Sequence, residues 1–287
     1  MTAGAEAGAP TGRNVASRAL TVLGVGGTVA LVILVVMLLS AVLAPWLAPY
    51  DPNYPDLMAS LQGPSAAHPL GTDALGRDLL SRLMFGGRTT LLGPLLVIGI
   101  STFVGCCLAF TASWRGGLTD AVISRLIEVL FSIPSIVFAL VAVAVLGVGL
   151  LPVVAGLIIA YTPYVARVMR GAALRERRLP YISAVWIQGR SGPSITTWQL
   201  VPNLRPLIVA QAVSALGFAV VDVAAVSFLG LGVQPPTPDW GLMVKSGLDS
   251  ALRGQPTEVI VASLAIVLFV GAVTVVGDRL GRGVTGR

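Results

Sequence analysis

The chain has 287 residues, 55% hydrophobic and 11% charged, with a mean hydropathy of +0.87. Soluble domains carry roughly 25% charged residues, so this composition excludes an ordinary soluble fold and belongs to a membrane protein. The net charge of +6 does not mark a nucleic-acid binder, because the single lysine and most of the arginines flank apolar runs, as in a chain oriented across a bilayer. Cys106 and Cys107 are adjacent in an apolar run and no other cysteine exists, so no disulfide framework or Cys-rich metal site follows.

Residues 1–18 carry Arg13 and Arg18 among Ala, Gly and Thr without an apolar period, which predicts a cytoplasmic tail. Residues 19–48 have no charge, too long for a signal-peptide core of about 7–15 residues, and read as an uncleaved first span. Pro45, Trp46, Pro49 and Tyr50 mark its far interface. Residues 49–88 form an outer loop in which Leu75, Leu79, Leu80 and Leu83 fall at helical spacing opposite Arg77, Asp78 and Arg82. That pattern predicts an amphipathic surface helix preceding the second span. His68, the sole histidine, reads as a loop residue and not a metal ligand.

The second span is expected at 89–114, followed by a turn at Arg115-Gly116-Gly117 and an i, i+3 pair of Arg125 and Glu128. Residues 129–166 contain no charge; as one helix they would extend about 57 Å against a hydrocarbon core of about 30 Å. The chain must double back, and Gly147-Val148-Gly149 before Pro152 is the place. Spans three and four are thus expected at 119–146 and 151–170, with kinks at Pro134 and Pro163. Residues 171–205 form a basic loop containing Arg175, Arg177, Arg178, Arg190 and Arg205. Within it Tyr181–Gln188 predicts two helical turns, opened by Pro180 and stopped by Gly189, with a turn at Ser191-Gly192-Pro193. A short helix held outside the bilayer between spans suits docking more than catalysis.

The fifth span, 206–231, carries Asp222. A carboxylate at the centre of a lipid-facing helix costs ~2.5–3.5 kcal/mol, so Asp222 is expected to face a cavity or partner subunit, or to lie near the outer interface. An outer loop at 232–256 and a sixth span at 257–278 close the chain. With six spans and the N-terminus inside, fourteen of the nineteen basic residues fall on the inner side and five (Arg77, Arg82, Arg88, Lys245, Arg253) outside. Both termini and the 171–205 loop are then cytoplasmic.

Catalytic chemistry is not assembled in this sequence. There is one His, no HExxH pattern and no Cys–His pairing, and Lys245 lacks the glycine that a GxxxxGK[ST] loop needs before its lysine. The chain is read as a non-enzyme with no cofactor or metal of its own. A stand-alone secondary transporter or a channel stays open on composition, although six spans without a visible inverted repeat are few for the former.

Three stretches carry a resemblance. YISAVWIQGRSGPSITTWQLVPN (residues 181–203) resembles the EAA loop of binding-protein-dependent ABC importer permeases. Ser183-Ala184-Val185 stand at the E-A-A positions, Gly189 and Ile195 at the conserved Gly and Ile, and Val201-Pro202-Asn203 at Leu-Pro-Asn. HPLGTDALGRDLLSRLMFGGR (68–88) and SFLGLGVQPPTPDWG (227–241) are similar to the shorter, C-type subunit of the dipeptide/oligopeptide/nickel subfamily, and the likeness covers residues 35–287. The departures are Ser183 for Glu, Val185 for Ala, and Val223 where the family often has Glu.

The resemblance implies an all-α, MetI-like type I importer fold with six transmembrane helices in a bacterial plasma membrane. It implies a heterodimer with a homologous permease, two ATPase subunits holding ATP and Mg, and an extracytoplasmic binding protein. ATPase coupling would fall on Tyr181, Ile182, Ser183, Ala184, Val185, Gly189 and Arg190. Asp222 is a pathway candidate, and Arg77, Asp78, Asp239 and Trp240 would contact the binding protein or form an outer gate. The cargo would be di- or oligopeptides, with nickel chelates and haem-like compounds also compatible.

Overall fold

A computed structural model describes residues 15–285, with side chains described for 24–281. Residues 1–14 of the expected tail and the last two residues lie outside the described residues; residues 15–18 already belong to the first helix. The described chain is helical apart from turns and one isolated bridge between Thr72 and Asp78. Helices satisfy their own backbone polar groups, which hydrocarbon cannot do for them.

In order these are α1 (Val15–Val42), α2 (Leu79–Arg115), α3 (Gly117–Phe131), α4 (Ser135–Leu146), α5 (Leu150–Glu176), α6 (Pro180–Ile187), α7 (Gly192–Phe228), α8 (Trp240–Leu252) and α9 (Thr257–Thr285). Five helices are long and apolar enough to cross a membrane: Gly24–Val42 of α1, then α2, α5, α7, and Thr257–Gly281 of α9. A sixth crossing exists where α3 and α4 count as one bent span.

Three boundaries differ from the sequence expectation, each for a local reason. The second span does not follow a separate surface helix. Asp78 caps α2, its Oδ2 accepting from Ser81 N at 2.8 Å, so Leu79, Leu80 and Leu83 form the first turns of one 37-residue helix. Leu75 precedes that helix and stays exposed, and Arg82, expected on a wet face, is only 2% exposed. The third span is broken: α3 and α4 meet at 85° across Ser132–Pro134, because Pro134 offers no N–H and pushes Ile133 out of helical geometry. The fifth span starts well before Pro206. The expected turn at Ser191-Gly192-Pro193 is a helix start, and α7 runs through a π turn at Thr196–Leu200 into Val201–Phe228. Pro193 occupies the first turn, where a missing N–H is harmless.

The remaining connections are short. Gly147 to Gly149 separates α4 from α5, and Gly149 N donates to Leu231 O at 3.1 Å. α2 lies along α5 for most of its length, while α9 packs against α1, α7 and α8. The two larger apolar cores among the described residues lie around Leu34, Leu91, Val220 and Phe269 and around Val97, Val153, Leu157 and Val223. Elsewhere large apolar side chains face outward, Phe103 at 71% and Leu151 at 73% exposure among them. On helices of this length such a surface suits hydrocarbon, not water.

Candidate functional site

The α6 end is built from four helices. Leu179 is extended, Pro180 opens α6, and Gly189 closes it at φ 82, a left-handed conformation that glycine takes without penalty. Ile182 is the buried anchor, 4% exposed in a cluster with Phe110, Ala172, Ala173, Ile195, Leu200 and Leu204. Tyr181 Oη donates to Glu176 Oε1 at 2.5 Å, and Asn203 Nδ2 donates to Tyr181 Oη at 2.7 Å, tying α5, α6 and α7 together. Burial first, then the bond to Glu176, pushes the Tyr181 hydroxyl up to about 12.

One turn beyond Ile182, Trp186 stacks on Trp114 with centroids 5.3 Å apart, and the Arg177 guanidinium lies 4.2 Å from the Trp114 ring centroid. Helix α6 is thereby held against α2, α5 and α7 through one face. Its free face presents Ser183, Ala184, Gln188, Gly189 and Arg190, with Val185 half-buried and Ile187 85% exposed at the tip. A small-residue face with an apolar tip, fixed on rigid helices, is shaped to receive another surface and to transmit displacement. Glu176, Trp114 and Trp186 were not singled out from sequence, and Arg177 and Asn203 were read only as part of the basic loop and of the Leu-Pro-Asn match; Trp114 lies 72 positions from Trp186 and 63 from Arg177, too far for helical spacing to pair them.

The second feature lies within the membrane region. Asp222 is half-buried and accepts from Tyr161 Oη at 3.0 Å. Both line a cavity of about 420 Å³ between α5, α7 and the α3–α4 break, with Phe131, Pro134, Tyr164 and Phe218 in its wall. A cavity was one of the three positions expected for Asp222, and Asp222 lines one.

The third feature joins the two motifs at 68–88 and 227–241. Asp78 caps α2 and faces His68, whose Nδ1 lies 3.1 Å from Asp78 Oδ1. Asp239 caps α8 by accepting from Leu242 N at 3.1 Å, and its Oδ2 accepts from Thr90 Oγ1 at 2.7 Å. Thr90 Oγ1 in turn accepts from Trp240 N at 2.9 Å, and Trp240 Nε1 donates to Leu83 O at 2.9 Å. The indole rests on Gly86 and Gly87, where any Cβ would come within 3.2 and 3.0 Å of the ring. Asp78, Asp239 and Trp240 are 2%, 0% and 3% exposed.

Of the expected binding-protein or outer-gate role, this burial corrects the first part for these three residues, direct contact with a binding protein. They are helix caps and a core indole, and the two motifs pack on each other. Arg77, half-buried, pairs with Asp73 (Nε–Oδ2 2.6 Å). Burial holds the Asp239 carboxyl above the usual carboxylate range, against the hydrogen bonds from Thr90 and Leu242. A raised folded-state pKa means Asp239 supports the fold best when protonated, and stability falls as pH rises through that value. Thr90→Val removes one of its donors, so a thermal melt in detergent is expected to show about 1–3 kcal/mol of lost stability. The loss should be larger at alkaline than at acid pH.

Helices of this length with large apolar side chains on their outward faces define a multi-pass membrane protein. Residues 74–287 match the family described as binding-protein-dependent transport system inner membrane component, and residues 26–64 match the N-terminal TM domain of oligopeptide transport permease C. The chain belongs to this family, and the likeness to the C-type peptide permeases read from residues 68–88 and 227–241 is borne out.

It is 38% identical over 221 residues to the probable D,D-dipeptide transport system permease protein DdpC of Escherichia coli K12, covering 77% of this chain and 74% of that one. It is 36% identical over 256 residues to the di/tripeptide transport system permease protein DppC of Pseudomonas aeruginosa, covering 87% and 84%. To the glutathione transport system permease protein GsiD of Pectobacterium atrosepticum it is 36% identical over 250 residues, covering 86% and 83%. By name, each of these relatives is a permease protein of a transport system.

Proposed function

We propose that this chain is one of two homologous pore-forming subunits of an ABC importer in a bacterial inner membrane. An extracytoplasmic binding protein delivers cargo, and two separate ATPase subunits, which bind ATP and Mg, drive transport. The observation that carries this reading is α6: a short helix anchored by Ile182 and Tyr181 on one side, with Ala184, Ile187 and Gly189 free on the other. Nucleotide-driven closure of an ATPase against that face would move α6, and its ties to α5 and α7 would pass the motion to the cavity at Asp222.

The α6 end faces the cytoplasm in this reading. Arg115, Arg175, Arg177, Arg178 and Arg190 crowd that end, as the excess of inward-lying arginine demands. Both termini are then cytoplasmic. Di- or oligopeptides are the proposed cargo, because the relatives named above are permeases of dipeptide, di/tripeptide and glutathione systems.

The test is purification of the tagged chain from its native membrane, followed by reconstitution of what accompanies it. The expected result is co-purification of a second permease and of an ATPase with a GxxxxGK[ST] loop. The reconstituted assembly should take up dipeptide only when ATP and the binding protein are both supplied. Flux through this chain alone, without nucleotide, would favour the secondary-transporter reading instead.

A further inference from the structure

Asp222 is the only acidic residue between Gly192 and Phe228, and among the described residues it has no cationic partner. Its one hydrogen bond comes from Tyr161. Tyr161 lies about 17 Å along α5 from that helix's start and Asp222 about 9 Å before the end of α7, which places the pair inside a hydrocarbon core of about 30 Å. An unpaired carboxylate at that depth is costly unless something cationic meets it.

The surroundings say what kind of cation fits. On α7 the cavity takes Ala215, Phe218, Val221 and Asp222, and on α5 it takes Ala160, Tyr161 and Tyr164, the spacing of one face on each helix. Phe131 and Pro134 complete it at the α3–α4 break. The wall is thus aromatic on several sides around one carboxylate. Aromatic faces and a single carboxylate are the chemistry that selects an ammonium group, by charge and by cation–π attraction. Arg167 does not neutralise Asp222: its guanidinium sits 4.1 Å from the Phe131 ring centroid and the residue is exposed. It is also about 9 Å further along α5 than Tyr161. A volume of about 420 Å³ admits a small peptide end and not a folded chain.

We infer that Asp222, oriented by Tyr161 and walled by Phe131, Tyr164 and Phe218, is a transient binding site for the primary ammonium of a passing substrate. The inference rests on the importer reading only in supposing that cargo enters this cavity, and its test uses neither ATP nor the binding protein. The protein, with the subunits that copurify with it, is placed in nanodiscs of phosphatidylglycerol and phosphatidylcholine. Tritiated alanyl-alanine amide is then titrated to millimolar concentration against wild type, Asp222→Asn, Asp222→Glu and Tyr161→Phe.

Saturable binding to wild type is expected, weakened about tenfold or more in Asp222→Asn, about 1.4 kcal/mol, and kept in Asp222→Glu. Tyr161→Phe should weaken it less. N-acetyl-alanyl-alanine amide should bind wild type and Asp222→Asn alike. Absence of saturable binding to wild type, or equal binding of the amine probe to Asp222→Asn, would overturn the proposal. So would loss of the companion subunits in Asp222→Asn, which would make the carboxylate an intersubunit pair. Displacement of the probe by added phosphatidylethanolamine would assign the site to lipid and also overturn it. A failed uptake assay beside intact amine binding would count against the ATP-driven reading alone.

Discussion

Arg82→Met is expected to lower the stability of the protein by about 3–5 kcal/mol, the cost of breaking a buried charge cluster by removing one partner. Arg82 is 2% exposed; its Nε lies 3.5 Å from Asp73 Oδ2 and its Nη1 donates to Pro52 O at 2.9 Å. Asp73 is itself 2% exposed, pairs with Arg77, and accepts backbone bonds from Leu75 and Arg77. Glu258, 3% exposed at the start of α9, adds a second carboxylate that interacts with both arginines and with Asp73. The cluster holds two positive and two negative charges drawn from the 49–78 connection, α2 and α9, so it pins that connection to the bundle.

Removing Arg82 leaves two carboxylates, 2% and 3% exposed, facing one half-buried guanidinium. Two companions separate charge from packing. Arg82→Lys keeps the charge but not the fork that reaches Asp73 and Pro52 together, and should recover only part of the loss. Arg82→Met with Glu258→Gln restores neutrality, so the pair should cost less than the sum of its parts, by about 1 kcal/mol or more. Thermal melts in one detergent at fixed pH measure these three variants, Glu258→Gln alone and the wild type. Additive losses would mean that Glu258 and Arg82 do not share a field, and a loss under about 1 kcal/mol for Arg82→Met would remove the cluster as a brace.

The location of this cluster explains what was legible in the sequence and what was not. Charge-free runs long enough to cross a bilayer need no tertiary information, and Gly147 to Gly149 had to reverse the chain on length alone. Pro180 and Gly189 bracketed α6 because both act through their own backbone. The reading failed where a charge was inside. Arg82 and Arg77 looked like the wet side of a surface helix, since nothing local tells an arginine facing solvent from one facing Asp73 and Glu258, the latter about 176 positions away on the chain. Asp78 and Asp239 were read as binding-protein or outer-gate residues, and the cap that each makes on its own helix went unread. An acid directly before a run such as LLSRL or WGLMV is a readable start signal, and applied here it would have moved α2 ten residues forward. No spacing rule, by contrast, pairs Trp240 with Thr90 or Asp222 with Tyr161; those meetings exist only once the helices have packed.

Ala184→Asp is expected to abolish ATP-coupled uptake, by a hundredfold or more, while the protein remains folded and in the membrane. Ala184 lies on the free face of α6 and is exposed, so an aspartate there meets water in the isolated chain and should change stability by no more than about 0.5 kcal/mol. Against a docked ATPase the same carboxylate would be buried without a partner, at a cost of several kcal/mol, and each 1.4 kcal/mol is tenfold in affinity. Gly189→Val acts at the same interface by another route. Nothing lies within 4 Å of a Cβ built there, but φ is +82, and a β-branched residue in left-handed geometry costs about 1–2 kcal/mol and would re-aim the end of α6. Its effect on coupling should therefore be smaller than that of Ala184→Asp, and accompanied by a modest fall in melting temperature. Ser183 stands at the Glu position of the E-A-A resemblance, so Ser183→Glu is expected to leave coupling intact or strengthen it, which a generally disruptive surface mutation would not do. Uptake and stimulation of the ATPase by loaded binding protein, measured on one preparation with a melt as control, distinguish these cases. Wild-type values for both in Ala184→Asp would mean that force enters the chain elsewhere, and the exposed apolar tip at Ile187 would then need a different neighbour.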